Sequence, residues 1–375
     1  MLDPSIAAVR NAVRASLLHT GVIAIDHKVA DPPPLLVALS GGSDSTALAL
    51  ASLWVARKYG LRIGTVTVLH GINNDLDQAE ERVARWAQQV GFDAVYVPRV
   101  NLGMPGNAEN NGWARKNHGP EGEARNARYQ AIAESAMTMG AEMAAGRPAQ
   151  VLLGHTADDQ AETVLLGLSR GSGAHSLRGM PAVGVLPGHP EVAAQRPLLG
   201  LRRSLLRDSL RAQGTSWLED PSNGPQTEWR SASGRPLTRN GIRNRVIPAL
   251  REVFGSGVPE ALVRTAALLA ADDDALNERA DAVFESLAVL DRGSDAGSGS
   301  DRIVLGRADL AQHPKAIRTR VVARALRRLG GRNVMFDHLV HVDDLVVGAG
   351  GGRVYDVSGV HVFQDGGSLI CERIQ

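Results

Sequence analysis

Short apolar runs alternate with longer stretches of helical periodicity through the first half of the chain. Residues 35–39 (LLVAL), 61–69 (LRIGTVTVL), 93–98 (DAVYVP) and 150–154 (QVLLG) are aliphatic or β-branched and bounded by polar residues, so they read as buried strands. Helical patterns fill the intervals near 44–58, 76–90 and 121–144. Strand and helix in strict alternation predict an α/β fold, a doubly wound and mostly parallel sheet. In such sheets ligands bind beyond the carboxyl ends of the strands.

The pattern changes near residue 200. Residues 202–213 (RRSLLRDSLRAQ) predict a basic amphipathic helix, and a polar Gly/Pro/Ser-rich loop spans 221–240. Residues 241–289 read as mostly helical, with Leu262, Ala266 and Leu269 as an apolar stripe. DRGSDAGSGSD at 291–301 reads as a linker; a helix near 314–329 and strand-like pieces follow. The expected organisation is a catalytic domain over 1–200, a helical domain over 201–290 and a small C-terminal segment of helix and strands over 301–375. The N-terminus reads as an amphipathic helix, and no apolar run approaches the ~20 residues of a membrane span. A cytoplasmic location is expected.

Composition sharpens this in two places. All but four of the 41 lysines and arginines are arginine, the exceptions being Lys28, Lys58, Lys116 and Lys315. Net charge is only +1, so placement matters more than total. Arg202, Arg203, Arg207 and Arg211, then Arg230, Arg235, Arg239, Arg243 and Arg245 concentrate in one zone, with Asn240 among them. Such a zone is either a solvated basic face or a nucleic-acid footprint. The single cysteine, Cys371, excludes an intramolecular disulfide, a four-cysteine zinc site and a cysteine-held iron–sulfur cluster.

Candidate chemistry falls at strand ends. Ser40, Gly41, Gly42, Ser43, Asp44 and Ser45 follow the first strand and open a helix. Bare backbone at a helix N-terminus presents N–H groups to an anion. No G-x-x-x-x-G-K-[ST] loop occurs, and Asp44 would repel phosphate unless a divalent cation lay between them. The loop therefore predicts a nucleotide with magnesium. After the fourth strand come His155, Asp158, Asp159 and Glu162, the acids sharing one helix face. They would cap that helix, or hold a cationic substrate or magnesium. Arg125 and Arg128 lead another helix, from which one of them would reach a phosphate.

SGGSDS at 40–45 resembles the phosphate loop of the N-type ATP pyrophosphatases, the PP-loop superfamily with the adenine nucleotide alpha hydrolase-like fold. GHTADDQAETVLLGLSRGSG (154–173), LRGMP (177–181), RPLLG (196–200), WLEDPSN (217–223) and LTRNGIRNRVIPAL (237–250) resemble the tRNA(Ile)-lysidine synthetases. The resemblance covers roughly residues 35–250. Two positions depart from it: Thr156 stands where the family often has a second His, and Leu69 precedes His70-Gly71. The segment 104–120 also looks longer than usual.

The resemblance implies ATP-dependent joining of free L-lysine to C2 of the wobble cytidine in CAU-anticodon tRNA(Ile). An adenylated cytidine would be the intermediate, with AMP and pyrophosphate released. The change turns AUG reading into AUA reading, and methionine identity into isoleucine. The implied roles are pyrophosphate binding by the loop 40–45 and a magnesium hold by Asp44. Arg125 or Arg128 would stabilise charge, and Asp159 and Glu162 would bind lysine. Either a carboxylate or His155 would be the base. The arginines at 202–211 and 239–245, with Asn240, would contact tRNA phosphates. Family members can be homodimers. Another PP-loop adenylating enzyme, a tRNA thiolase or NAD synthetase, shares the loop. Cys371 alone disfavours a thiolase that carries sulfur on cysteine, and an NAD synthetase has no use for the basic helices.

Overall fold

The computed structural model describes residues 2–69, 74–100, 120–143, 146–169, 173–219, 238–291, 301–331, 334–348, 354–357 and 359–374. His70, the stretch 104–119, the loop 221–237 with Arg230 and Arg235, and most of the linker at 292–300 lie outside them. Two compact units emerge: residues 1–170 with 179–266, and residues 171–178 with 267–375.

The first unit begins with α1 (Pro4–His19), capped by Asp3, whose carboxylate accepts from the Ser5 N–H at 2.8 Å. There follow β1 (Leu35–Ala38), α2 (Ser43–Tyr59), β2 (Ile63–Val66), α3 (Asn74–Val90) and β3 (Ala94–Tyr96). Next come α4 (Pro120–Met143), β4 (Gln150–Leu152) and α5 (Ala157–Ser169). A short α6 (Ala174–Leu177) belongs to the second unit. The chain returns through β5 (Val183–Leu186), β6 (His189–Gln195) and α7 (Arg203–Ala212).

The six strands are ordered β3-β2-β1-β4-β6-β5. All neighbours are parallel except β5 and β6, a hairpin that ends the sheet. Chain order reverses between β1 and β4, the topological switch point where ligands of open α/β sheets bind. The fold is the expected doubly wound one. Period-two alternation sorts β1: Leu35 and Val37 pack with α1, α2 and α7, whereas Leu36 packs with Tyr129, Ile132 and Met139 of α4. Thus α7, the basic amphipathic helix, buries Leu206 and Leu210 in the same core as α1 and α2.

After α8 (Thr238–Gly241) the helix passes through a π turn, Ile242–Val246, into α9 (Ile247–Phe254). The long α10 (Val258–Leu287) runs across the division between the units. The second unit continues with β7 (Ala288–Asp291), β8 (Arg302–Gly306), α11 (Arg307–Ala311), α12 (Lys315–Arg328) and α13 (Phe336–Val347). It closes with β9 (Val354–Val357), β10 (Val360–Asp365) and β11 (Ser368–Arg373). Its antiparallel sheet is ordered β7-β8-β11-β10-β9 and packs on α10, α12 and α13. Cys371 is fully buried there, and burial pushes its thiol up to about 12, so it is inert. Segment 173–178 is fixed to this unit by the buried Asp273, which accepts from His175 at 3.1 Å, Arg178 at 3.0 Å and Arg320 at 2.7 Å.

Among the described residues, no single helix is long and apolar enough to cross a membrane.

Candidate active site

The loop after β1 is shaped by Gly41, whose φ is +83°. A Cβ there would meet Val83 Cγ2 at 2.5 Å and Leu218 Cδ1 at 2.9 Å, so both conformation and space demand glycine. The Gly41 carbonyl accepts from Leu218 N at 2.8 Å and from Thr46 Oγ1 at 3.2 Å, which fixes the turn. Ser45 Oγ accepts from Ser40 N at 3.2 Å and donates to Gly42 O at 3.0 Å. The loop hydroxyls therefore brace the backbone. The first-turn N–H groups of α2 have no acceptor within their own helix, and they face the switch point.

Gly154, at the end of β4, supplies the second close approach. A Cβ there would lie 3.2 Å from Ser45 N and Cα. The β1 and β4 loops thus touch through bare backbone.

Thr156 caps α5 in a reciprocal box. Its N–H and hydroxyl both reach Asp159 Oδ2 at 2.8 Å, and Asp159 N reaches Thr156 Oγ1 at 3.4 Å. This gives a physical reason for threonine where the family often carries histidine: Thr156 is wholly buried and orients Asp159.

The acids converge on two arginines. Arg203 Nε donates to Asp44 Oδ2 at 2.6 Å, and Arg203 Nη2 donates to Asp159 Oδ1 at 2.9 Å. Arg243, on the π turn, donates from Nε to Glu162 Oε1 at 2.6 Å and from Nη2 to Oε2 at 3.2 Å. A π turn rotates the residues that follow it, and such turns recur at functional sites. Asp158 holds Arg202 at 2.9 Å and the backbone N–H of Arg203 at 2.8 Å; Arg202 also pairs with Glu260 at 3.0 Å.

Burial pushes the Asp44 and Glu162 carboxyls up, against the pull of Arg203 and Arg243 respectively. Burial also acts on Asp159, but Arg203 and the two Thr156 bonds outweigh it and hold this carboxyl down. Arg203 is raised overall: its acids outweigh its own burial.

His155 is the opposite case. Burial lowers its pKa to about 4; Asp159 opposes this, and Arg196, Arg125 and Arg239 reinforce it. Its Nδ1 is buried without a partner. The imidazole is therefore neutral at neutral pH and a weak base.

The remaining arginines divide by position. Arg125 is exposed, donates to Tyr129 Oη at 3.1 Å, and lies within the field felt by His155. Arg128 is exposed on the same helix. Arg207 and Arg211 on α7 stand over the Trp217 ring at 5.9 and 5.8 Å, an exposed cation–aromatic surface. Arg239 adds to the field at His155, Asn240 pairs with Asn244, and Arg245 is exposed.

The loop 40–45 and the acids Asp159 and Glu162, singled out in sequence, lie at adjoining strand ends. The inward reach of Arg203 and Arg243 to those acids was not legible in sequence, and neither Tyr129 nor Arg196 was singled out there. The RPLLG motif was the only signal for Arg196.

Among the described residues, no group of three or more His, Cys, Asp or Glu is placed to hold a metal. The donor set at Asp44 nonetheless fits magnesium, which is commonly held by one carboxylate, substrate phosphates and water. Asp44 already faces a cation, its oxygens lie beside the anion-binding N-terminus of α2, and the loop contributes only oxygen donors.

The PP-loop domain family matches residues 10–250, and the TilS substrate binding domain matches residues 305–366. The tRNA(Ile)-lysidine synthase of Salinispora tropica is 37% identical, covering 98% of this chain and 96% of its own. That of Streptomyces coelicolor is 37% identical over 91% of this chain and 86% of its own. Among solved structures, the U34-tRNA thiolase NcsA from Methanococcus maripaludis, with its [4Fe-4S] cluster, matches with a TM-score of 0.50. It is 16% identical and covers 71% of this chain and 80% of its own, a likeness of fold alone.

Two outcomes test the site. Gly41→Ala introduces left-handed strain of about 1–2 kcal/mol plus two side-chain clashes. It is expected to weaken binding of a non-hydrolysable ATP analogue at least ~10-fold in calorimetry; unchanged affinity would remove the loop from the site. His155 is expected to titrate near 4 by NMR. Because its folded pKa lies below the unfolded value of 6.5, its stabilisation is complete above about 6.5 and is lost as pH falls towards about 4. The stability difference between wild type and His155→Asn should shrink by roughly 3 kcal/mol across that window in denaturant titrations.

Proposed function

The chain belongs to the tRNA(Ile)-lysidine synthase family, and on that premise we propose that it joins free L-lysine to C2 of the wobble cytidine in CAU-anticodon tRNA(Ile). It is an enzyme of tRNA modification that forms lysidine with ATP as co-substrate. The observation that carries the finer reading is the meeting of the SGGSDS loop with Asp159 and Glu162 at one switch point, with arginines already seated on the acids.

The chemistry divides in two. The C2 oxygen of cytidine is a poor leaving group. In the proposed first step it attacks the α-phosphorus of ATP, the α–β bridge breaks and pyrophosphate leaves. The N–H groups of Ser43 to Ser45 receive the charge that develops on the departing group. Magnesium, held by Asp44 when bound, would supply further neutralisation of the phosphates. Arg125 stands at the rim, where it would add to that stabilisation.

In the second step the lysine ε-amine attacks C2 and AMP leaves, so that the C–N bond replaces the C–O bond. Asp159 and Glu162 are suited to hold the lysine cation because each already accepts from a guanidinium. Lysine would take over donor positions that Arg203 and Arg243 now fill. The attacking amine must be neutral, and with a reference pKa of ~10.4 that state costs about 4 kcal/mol near pH 7.4. A carboxylate or His155 would accept the surplus proton, and the lowered pKa of His155 favours the carboxylate. Half-buried Arg207 and the exposed Arg211 and Arg245, with Arg239 and Asn240, would seat the anticodon arm by contacts that position without reading sequence.

The reading is tested by incubating the chain with ATP, labelled lysine and CAU-anticodon tRNA(Ile). Label is expected in the RNA, with AMP formed in equal amount. Glu162→Gln and Asp159→Asn should each raise the KM for lysine ~10–100-fold, the worth of a bond to a charged group. RNA that gains sulfur, or no label at all, would reject the assignment.

A further inference from the structure

Arg196 is the one feature of the sheet edge that the proposed reaction leaves without a task. It follows β6, and its residue exposure is 5%. Its backbone N–H donates to Ala182 O at 2.7 Å and its Nη1 to Pro181 O at 3.0 Å. Its Nε is buried with no acceptor. Arg202, Arg203 and Arg243 each have a carboxylate; Arg196 pairs with none among the described residues. A buried guanidinium without a counter-ion is costly, and a fold retains one where an anion completes the site.

The surroundings agree. Burial lowers the Arg196 pKa, Tyr129 opposes this, and Arg125 lowers it further. His155, whose Nδ1 is likewise buried without a partner, feels Arg196, Arg125 and Arg239 together. Charge is thus segregated. The acids, with Arg203 and Arg243, gather around the β1 and β4 loops. Cations gather on the β6 side, where Tyr129 accepts from Arg125 at 3.1 Å.

We propose that Arg196, flanked by Arg125 and His155, is a phosphate subsite for the backbone phosphate of the RNA nucleotide undergoing modification. This rests on the tRNA-modifying reading above. The phosphates of ATP have their own site at the N-terminus of α2, after β1. β6 lies two strands away, on the far side of β4, a separation of roughly 10 Å. A nucleotide whose base edge meets ATP over β1 and β4 carries its phosphate on the far side of its ribose. A guanidinium there supplies a planar fork for that phosphate and fixes which nucleotide enters.

The experiment measures tRNA(Ile) binding by fluorescence anisotropy across a salt series, for wild type, Arg196→Gln and Arg196→Lys. ATP-analogue binding and melting temperature are measured on the same samples. Arg196→Gln should weaken tRNA binding about tenfold, lower the slope of log affinity against log salt by about 1, and leave ATP-analogue affinity within about twofold. Arg196→Lys should restore the slope. If Arg196→Gln melts too early to assay, Arg196→Lys, which keeps the charge but loses the planar fork, must weaken tRNA binding with the wild-type salt slope and unchanged ATP-analogue affinity. Wild-type tRNA affinity with no change in the folded variants would overturn the subsite alone. Loss of ATP-analogue affinity in place of tRNA affinity would reassign the phosphate to ATP and also overturn it. Failure of wild type to bind tRNA would reject the tRNA reading itself.

Discussion

A single guanidinium, Arg203, holds Asp44 from the loop after β1 and Asp159 from the helix after β4. These two carboxylates come from either side of the switch point, and without a cation between them they repel. The side chains of Asp44, Asp159 and Arg203 are 17%, 12% and 20% exposed, so solvent screens them little. The geometry of the crevice follows from this bridge. The Thr156 box aims Asp159, the Asp158 bond to the Arg203 backbone anchors the start of α7, and the packing of α7 on α1 and α2 holds the guanidinium in place.

The same arrangement explains how such acidic walls coexist beside a phosphate site. Each acid is neutralised by an arginine. Were a substrate ammonium to replace either arginine, one charge-assisted bond would be exchanged for another without desolvating a bare carboxylate. The exchange fits a reaction that admits a cationic amino acid and a polyanionic nucleotide to adjoining positions.

Much of this was legible in the chain. Four short aliphatic runs located β1 to β4 within two or three residues, because strands buried on both faces read as continuous apolar runs. The phosphate loop was legible because its glycines stand out, and Gly41 is required by backbone geometry that only glycine meets. Other parts were not. β5 and β6 are interrupted by Pro187, Gly188 and Pro190, and β5 exposes Val183 and Val185, so neither matched a buried-strand pattern. β11 and α13 depend on pairing with distant segments of the second unit. The arginine zone read as one surface, yet Arg203 and Arg243 turn inward while Arg211 and Arg245 stay exposed. Contacts between residues 159 positions apart in the chain leave no local trace.

The claim that one guanidinium ties the two loops is tested most directly by a double-mutant cycle on stability, using Asp44→Asn, Arg203→Gln and the double variant in urea unfolding. Breaking a buried pair from one side strands the other charge, so each single change should cost about 3–5 kcal/mol. The double variant should cost less than their sum by at least about 1 kcal/mol. Additive losses would mean that Asp44 and Arg203 act independently, and would contradict the account.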